Sequence, residues 1–166
     1  MHTDSPGMSA AKRLALTTEG PAMDSGSEYR IVVGVDGSPS SQAAFHWAVQ
    51  HAELTEGVVQ AVLAWQYPAF SRWEGGILVP EDFEGPARKI LADTVEATVG
   101  RLDGKPVVHQ DVVHSSSVPA LLRAARNADL LVLGSHRGRG FFRRWCGSVS
   151  RRCARRSQCS VVIIRA

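Results

Sequence analysis

The chain has 166 residues, 44% of them hydrophobic, with a net charge of +3 and three cysteines. That length and apolar share suit one well-cored domain, and no apolar run approaches the roughly 20 residues that cross a membrane. Cys146, Cys153 and Cys159 are odd in number and contain no C-x-x-C pair, which argues against a disulfide framework or a zinc site. Core-filling thiols in a reducing cytoplasm are expected instead.

Residues 1–28 are rich in Ser, Thr, Gly and Pro, show no sustained periodicity and lack the apolar core of a secretory signal. They are expected to form a disordered leader, with one α/β domain over residues 29–166. Tyr29–Asp36 is a short β-branched apolar run, as in a strand buried on both faces. Gly37-Ser38-Pro39 then places Ser38 at a helix N-cap and Pro39 at its first position. Ala43, Ala44, Trp47, Ala48 and Ala52 recur at helical spacing, and Gly57 is expected to close the helix. Val58–Trp65 reads as a second strand.

Gln66–Pro80 holds two prolines and two glycines and reads as a long loop, in which Phe70 and Trp73 could fold over a base. Glu81–Leu102 reads as a helix with Ile90, Leu91, Val95 and Val99 in its buried stripe. Pro106–His114 is predicted as a strand, Ser117–Asn127 as a helix, Leu130–Leu133 as a strand, residues 147–157 as a helix and Ser160–Arg165 as the last strand. Strictly alternating strands and helices imply a doubly wound parallel sheet with helices on both faces.

The stretch Leu130–Ser150 carries the strongest functional signal. An apolar strand breaks into Gly134-Ser135-His136-Arg137-Gly138-Arg139-Gly140, and Gly147-Ser148 follows at the expected start of a helix. Glycines let backbone N–H groups approach an anion, and a helix N-terminus adds unpaired donors and partial positive charge. Ligands of open α/β sheets bind beyond the carboxyl ends of the strands. Charge is also uneven: no Asp or Glu follows Asp129, whereas nine arginines do, leaving residues 1–129 with a net of −6. No nucleophile with a base at recognisable spacing is present, so an enzymatic reading has no positive support.

Ile31-Val32-Val33-Gly34-Val35-Asp36-Gly37-Ser38, Ala128–Ser135, Gly147-Ser148-Val149-Ser150 and the closing Cys159–Ile164 together resemble the universal stress protein family over residues 29–166. The resemblance implies a flavodoxin-like five-stranded sheet of order 3-2-1-4-5 in a cytoplasmic, usually dimeric, stress-response protein. It also implies ATP and Mg²⁺ as ligands, through a G-x2-G-x9-G-(S/T) motif that begins at Gly134 and ends at Gly147-Ser148. Arg137 stands at the second glycine of that motif, with Gly138 one place later; the arginine could crowd the phosphates or bind one bidentately. By the same resemblance Gly34, Val35, His136, Val149 and Ser150 join the nucleotide-binding set, Asp36 lies near ribose and metal, and Trp65 and Leu133 frame the adenine. Val161, Val162, Ile163 and Ile164 would form a sheet edge open to a second copy. Two alternatives stay open: a member without ATP that acts through a regulatory protein partner, or a binder of nucleic acid or another polyanion through the arginine-rich end.

Overall fold

The computed structural model describes residues 28–67, 83–100, 106–135 and 143–166, with side chains omitted for 143–148. Five parallel strands and four α-helices alternate along the chain: β1 (Arg30–Gly34), α1 (Pro39–Thr55), β2 (Val58–Trp65), α2 (Glu84–Val99), β3 (Val108–His114), α3 (Ser117–Ala124), a 3-10 turn (Ala125–Asn127), β4 (Leu130–Ser135), α4 (Arg143–Arg156) and β5 (Ser160–Arg165). The sheet order is β3-β2-β1-β4-β5, the flavodoxin-like order expected from the sequence. β1 is central, with Val32 opposite Gln60 of β2 and Leu131 of β4. None of the described helices is long and apolar enough to cross a membrane.

Alternation along the strands sends side chains to two cores. Ile31 and Val33 of β1, with Val35 just beyond it, pack with Val59, Ala61 and Leu63 of β2 against α1 and α2, around Phe45 and Leu91. Val32, Val62, Leu131 and Leu133 pack on the other face against Val118 and Leu121 of α3 and Cys153 of α4. Phe45 is fully buried, and burial of a side chain of that size stabilises by about 2–3 kcal/mol. The buried stripe of α1 runs through Ala44, Phe45, Ala48, Val49 and Ala52. Trp47 is only partly buried, with its ring stacked on His51 at 4.8 Å. Ile90, expected in the buried stripe of α2, is 42% exposed; Ala87, Leu91 and Thr94 take the inner positions.

The ends of the elements refine the sequence reading. Ser38 caps α1 as expected, accepting a hydrogen bond from the Ser41 N–H at 3.2 Å. The left-handed residue that ends α1 is Glu56, with φ 51°, not Gly57. Gly57 answers a different demand: a Cβ there would stand 2.4 Å from the Tyr29 carbonyl oxygen, which accepts the hydrogen bond that starts the β1–β2 pairing. The larger correction is at α4, which begins at Arg143, so Gly147-Ser148 sit a full turn inside the helix and not at its start. Glycine and serine look like a helix start because both are common cap residues. Arginine, however, is a good helix former, and a helical glycine costs only about 1 kcal/mol relative to alanine, so nothing in Arg143–Cys146 stops the helix earlier. All but Glu28 of the leader expected over residues 1–28, Phe70 and Trp73 in the long loop, and His136, Arg137 and Gly138 lie outside the described residues.

Candidate functional site

In the order 3-2-1-4-5 the chain leaves β1 toward β2 on one side and later returns as β4 on the other, so β1 and β4 form the switch point of the sheet. Crevices at that point are where open α/β sheets receive ligands. A cavity of about 390 Å³ lies there, beyond the carboxyl ends of β1, β2 and β4. Its volume is within the range of small-molecule sites. Val62, Ala64, Leu121, Leu133 and Val149 give it apolar walls, and Asp36, Ser38, Ser40, Ser41, Ser117 and Ser150 bring polar groups to it.

Two small residues keep it open. Gly34 of β1 and Ala64 of β2 line the cavity where larger strand residues would fill it. A Cβ at Gly34 would come within 2.9 Å of Leu133 Cδ2 and 3.1 Å of Leu121 Cδ2. Gly134 has a different neighbour: a Cβ there would lie 2.5 Å from both the carbonyl carbon and oxygen of Ser40 and 2.7 Å from the Ser41 nitrogen. Only glycine allows β4 to press this closely on the first turn of α1.

That first turn is held by a compact polar web. The Ser38 N–H donates to Asp36 Oδ1 at 3.0 Å, the Ser41 hydroxyl donates to the Ser38 carbonyl at 2.9 Å, and the Asp36 N–H donates to Ser41 Oγ at 3.3 Å. Burial pushes the Asp36 carboxyl up, but hydrogen bonds from the Ser38 hydroxyl and N–H and from Ser41 outweigh it and hold the group below the usual carboxylate range. Asp36 is therefore an anion at neutral pH, at the rim of an otherwise uncharged described lining. Among the described residues no cluster of three or more His, Cys, Asp or Glu could hold a metal ion.

The sequence-predicted residues divide clearly. Gly34, Val35 and Asp36 from the end of β1 line the same cavity as Leu133, Gly134, Val149 and Ser150 from the far end of the chain. Trp65 does not line it. Alternation turns Trp65 away from the face that carries Val62 and Ala64, and its ring stacks on His114 at 4.3 Å and meets Tyr67 edge-on at 5.3 Å. Gly147 and Ser148 are placed by their backbone within α4, before the lining residues Val149 and Ser150. The sequence reading missed Ser40, Ser41, Val62, Ala64, Ser117 and Leu121. Of these, only the Ser38–Ser41 run offered a signal, since serines in the first turn of a helix can serve a ligand as well as a cap.

Fold and site together define a doubly wound α/β protein with a small-ligand cavity at its switch point. The model of the universal stress protein family matches residues 29–165. The chain is 35% identical to universal stress protein Rv2623 of Mycobacterium tuberculosis over 153 residues, covering 86% of this chain and 50% of that protein. Universal stress protein Rv1996 of the same organism is 33% identical over 138 residues, covering 81% and 43%. This chain thus spans about half the length of the curated relatives it matches. Among solved structures, one of a universal stress protein in complex with cAMP is 27% identical with a TM-score of 0.59, covering 82% of this chain and 95% of that one. A family member from Burkholderia pseudomallei is 26% identical with a TM-score of 0.63, covering 85% and 99%. The chain belongs to the universal stress protein family.

Proposed function

We propose that this protein binds an adenine nucleotide in the cavity at the β1/β4 switch point and acts as a nucleotide-responsive regulator in a stress response. The observation that carries the reading is the convergence of Gly34, Asp36, Leu133, Gly134, Val149 and Ser150 on one cavity of about 390 Å³. The cAMP complex of a 27% identical neighbour supports the class of ligand. In this reading the base enters between Val62, Ala64, Leu121 and Leu133, which offer it an apolar slot. Asp36, ionised and turned toward the rim, accepts hydrogen bonds from ribose hydroxyls. The phosphates fall to the N-terminal turn of α1 with Ser38–Ser41, and the motif residues His136, Arg137 and Gly138 are proposed to reach them.

ATP with Mg²⁺ is the ligand proposed. Mg²⁺ is commonly held by one or two carboxylates together with substrate phosphates and waters, and a lone Asp36 beside a triphosphate meets that need without a dedicated protein cage. Bound Mg²⁺ would offset phosphate charge, while Asp36 and the serine hydroxyls orient the nucleotide. The chain is further proposed to work as a cytoplasmic homodimer, with β5 as the edge at which two copies meet. Among the described residues β5 pairs only with β4, and its Ile163 is 39% exposed. The direct test is whether nucleotide accompanies the purified protein: denature it and resolve the released small molecules by anion exchange. An adenine nucleotide in near-stoichiometric amount is expected. A protein that releases none and shows no thermal shift in millimolar ATP would overturn the reading.

A further inference from the structure

The helical layers on the two faces of the sheet differ sharply in charge. α1 and α2 hold Glu53, Glu84, Asp93 and Glu96 against Arg88 and Lys89, and Glu84 pairs with Arg88 while Lys89 reaches Asp93 at 3.0 Å. α3, its 3-10 extension and α4 carry eight arginines and no acid at all. The six with described side chains, Arg123, Arg126, Arg151, Arg152, Arg155 and Arg156, are all exposed. Among the described residues no carboxylate lies within ion-pair reach of any of them.

This layer exceeds what the fold needs: Arg123, Arg155 and Arg156 stand in last helical turns, where a cation is favourable, but Arg151 and Arg152 do not. Arg151 with Arg155, and Arg152 with Arg156, are like charges one turn apart, a spacing that destabilises a helix. The layer does not belong to the cavity. α4 runs back from the carboxyl edge of the sheet toward the start of β5, so Arg151–Arg156 lead away from Val149 and Ser150 to the opposite edge, where Arg123 and Arg126 close α3.

The composition of the face selects its partner. Among the described residues, the acidic layer keeps Glu53, Glu56 and Glu96 outside its own ion pairs, fewer carboxylates than the eight arginines that a second copy would have to neutralise. A protein partner would be expected to seek an apolar centre within a polar rim. Among the described side chains, the exposed large apolar residues Leu54, Tyr67, Ile90, Val107 and Ile163 all lie outside α3 and α4. What remains is a face of exposed arginines in which Arg151 and Arg155, and Arg152 and Arg156, are one turn or about 6 Å of helix rise apart, with guanidinium groups suited to bidentate contact with phosphate. No described aromatic side chain accompanies it to stack on unpaired bases. We propose that the α3/α4 layer binds the phosphate backbone of double-stranded nucleic acid without reading its sequence.

The test is fluorescence anisotropy of a labelled duplex of mixed sequence, about 20 base pairs long, titrated with the full chain at salt from about 50 to 200 mM. With four to six phosphates engaged, log K should fall against log salt with a slope of about −4 to −5. Arg151→Ala with Arg155→Ala should make that slope shallower by about 2 and weaken binding alike for unrelated sequences. Arg88→Ala, on the opposite layer, should leave both unchanged. Circular dichroism establishes that each variant is folded, as expected of exposed substitutions. Absence of duplex binding at the lowest salt overturns the proposal, as does binding that the double variant leaves intact. Binding of anionic phospholipid vesicles or polyglutamate in preference to duplex overturns it in favour of a membrane or an acidic protein.

Discussion

Replacing Gly134 with alanine tests how closely β4 and α1 approach beside the cavity. The added Cβ would lie 2.5 Å from the Ser40 carbonyl carbon and oxygen and 2.7 Å from the Ser41 nitrogen, whereas relaxed contacts between such atoms are near 3.5 Å. The first turn of α1 would have to recede by about 1 Å to restore that contact distance. It is backbone, and it is pinned by the Ser38 cap, by the Asp36–Ser41 web and by the packing of Phe45. Overpacking of this kind costs about 1–3 kcal/mol, and a rigid obstruction belongs at the upper end. Alanine recovers up to about 1 kcal/mol through the lower backbone entropy of its unfolded chain, leaving a net loss near 2 kcal/mol. For a domain of this size the Tm should fall by roughly 5–12 °C. Gly34→Ala is the control. Its Cβ meets only the methyl ends of Leu133 and Leu121, at 2.9 and 3.1 Å, and these can rotate toward the cavity. Its stability should be near wild type, while ligand affinity falls because the cavity shrinks. Thermal and urea unfolding of both variants decide the matter. A Gly134→Ala protein as stable as wild type, or a Gly34→Ala protein less stable than Gly134→Ala, would refute the packing argument.

Further consequences concern charge, thiol access and assembly. Hydrogen bonds lower the Asp36 carboxyl in the native state, so its contribution to stability is present above the ordinary carboxylate value of about 4 and is lost as pH falls through the lower native value. Asp36→Asn should therefore flatten the acid limb of stability measured by urea unfolding from about pH 5 down to 2; an unchanged limb contradicts the web around Asp36. Burial raises the Cys153 thiol, with Arg152 opposing, and the side chain is fully covered. Peptide mapping after maleimide labelling should show partly exposed Cys159 modified well before Cys153, which reacts only as fast as the protein opens; equal rates for these two would show that α4 does not seal this core. Ile163→Lys places a charge on the exposed side of β5 and should yield a folded monomer by sedimentation if two β5 edges form the dimer. A variant that still dimerises would place the contact elsewhere.

The sheet was legible because β1, β2 and β5 are short valine- and isoleucine-rich runs and β4 a short leucine-rich one, each set off by a helical pattern, and β5 is observed over the residues the sequence predicts. The order of the strands followed from the family resemblance and not from periodicity, which does not specify neighbours. At the site, the two strand ends Gly34–Asp36 and Leu133-Gly134 could be read, because glycine after an apolar run marks a strand meeting a turn. Val62 and Ala64 could not: their place at the cavity depends on the β1–β2 register, in which Gly34 stands opposite Val62. A shift of one residue would have exchanged Ala64 for Trp65. Gly147-Ser148 misled because cap residues also occur inside helices, where packing and continuous hydrogen bonding outweigh local preference. Gly134 shows the converse. Its glycine reads as a phosphate device from sequence, and the structure adds a packing requirement against Ser40 that stands with or without a ligand.

The most direct measurement is calorimetric titration of ATP with Mg²⁺ into the wild type and into Ala64→Leu. Ala64 is half-buried on the cavity wall and outside the main cores, so a leucine there fills the proposed base slot while the domain stays folded. The account predicts wild-type binding in the micromolar range, about 8 kcal/mol, and loss of measurable heat in the variant, with its unfolding transition retained. A wild type that takes up no nucleotide at millimolar concentration, or a variant that binds as well as wild type, would contradict the claim that this cavity is the nucleotide site.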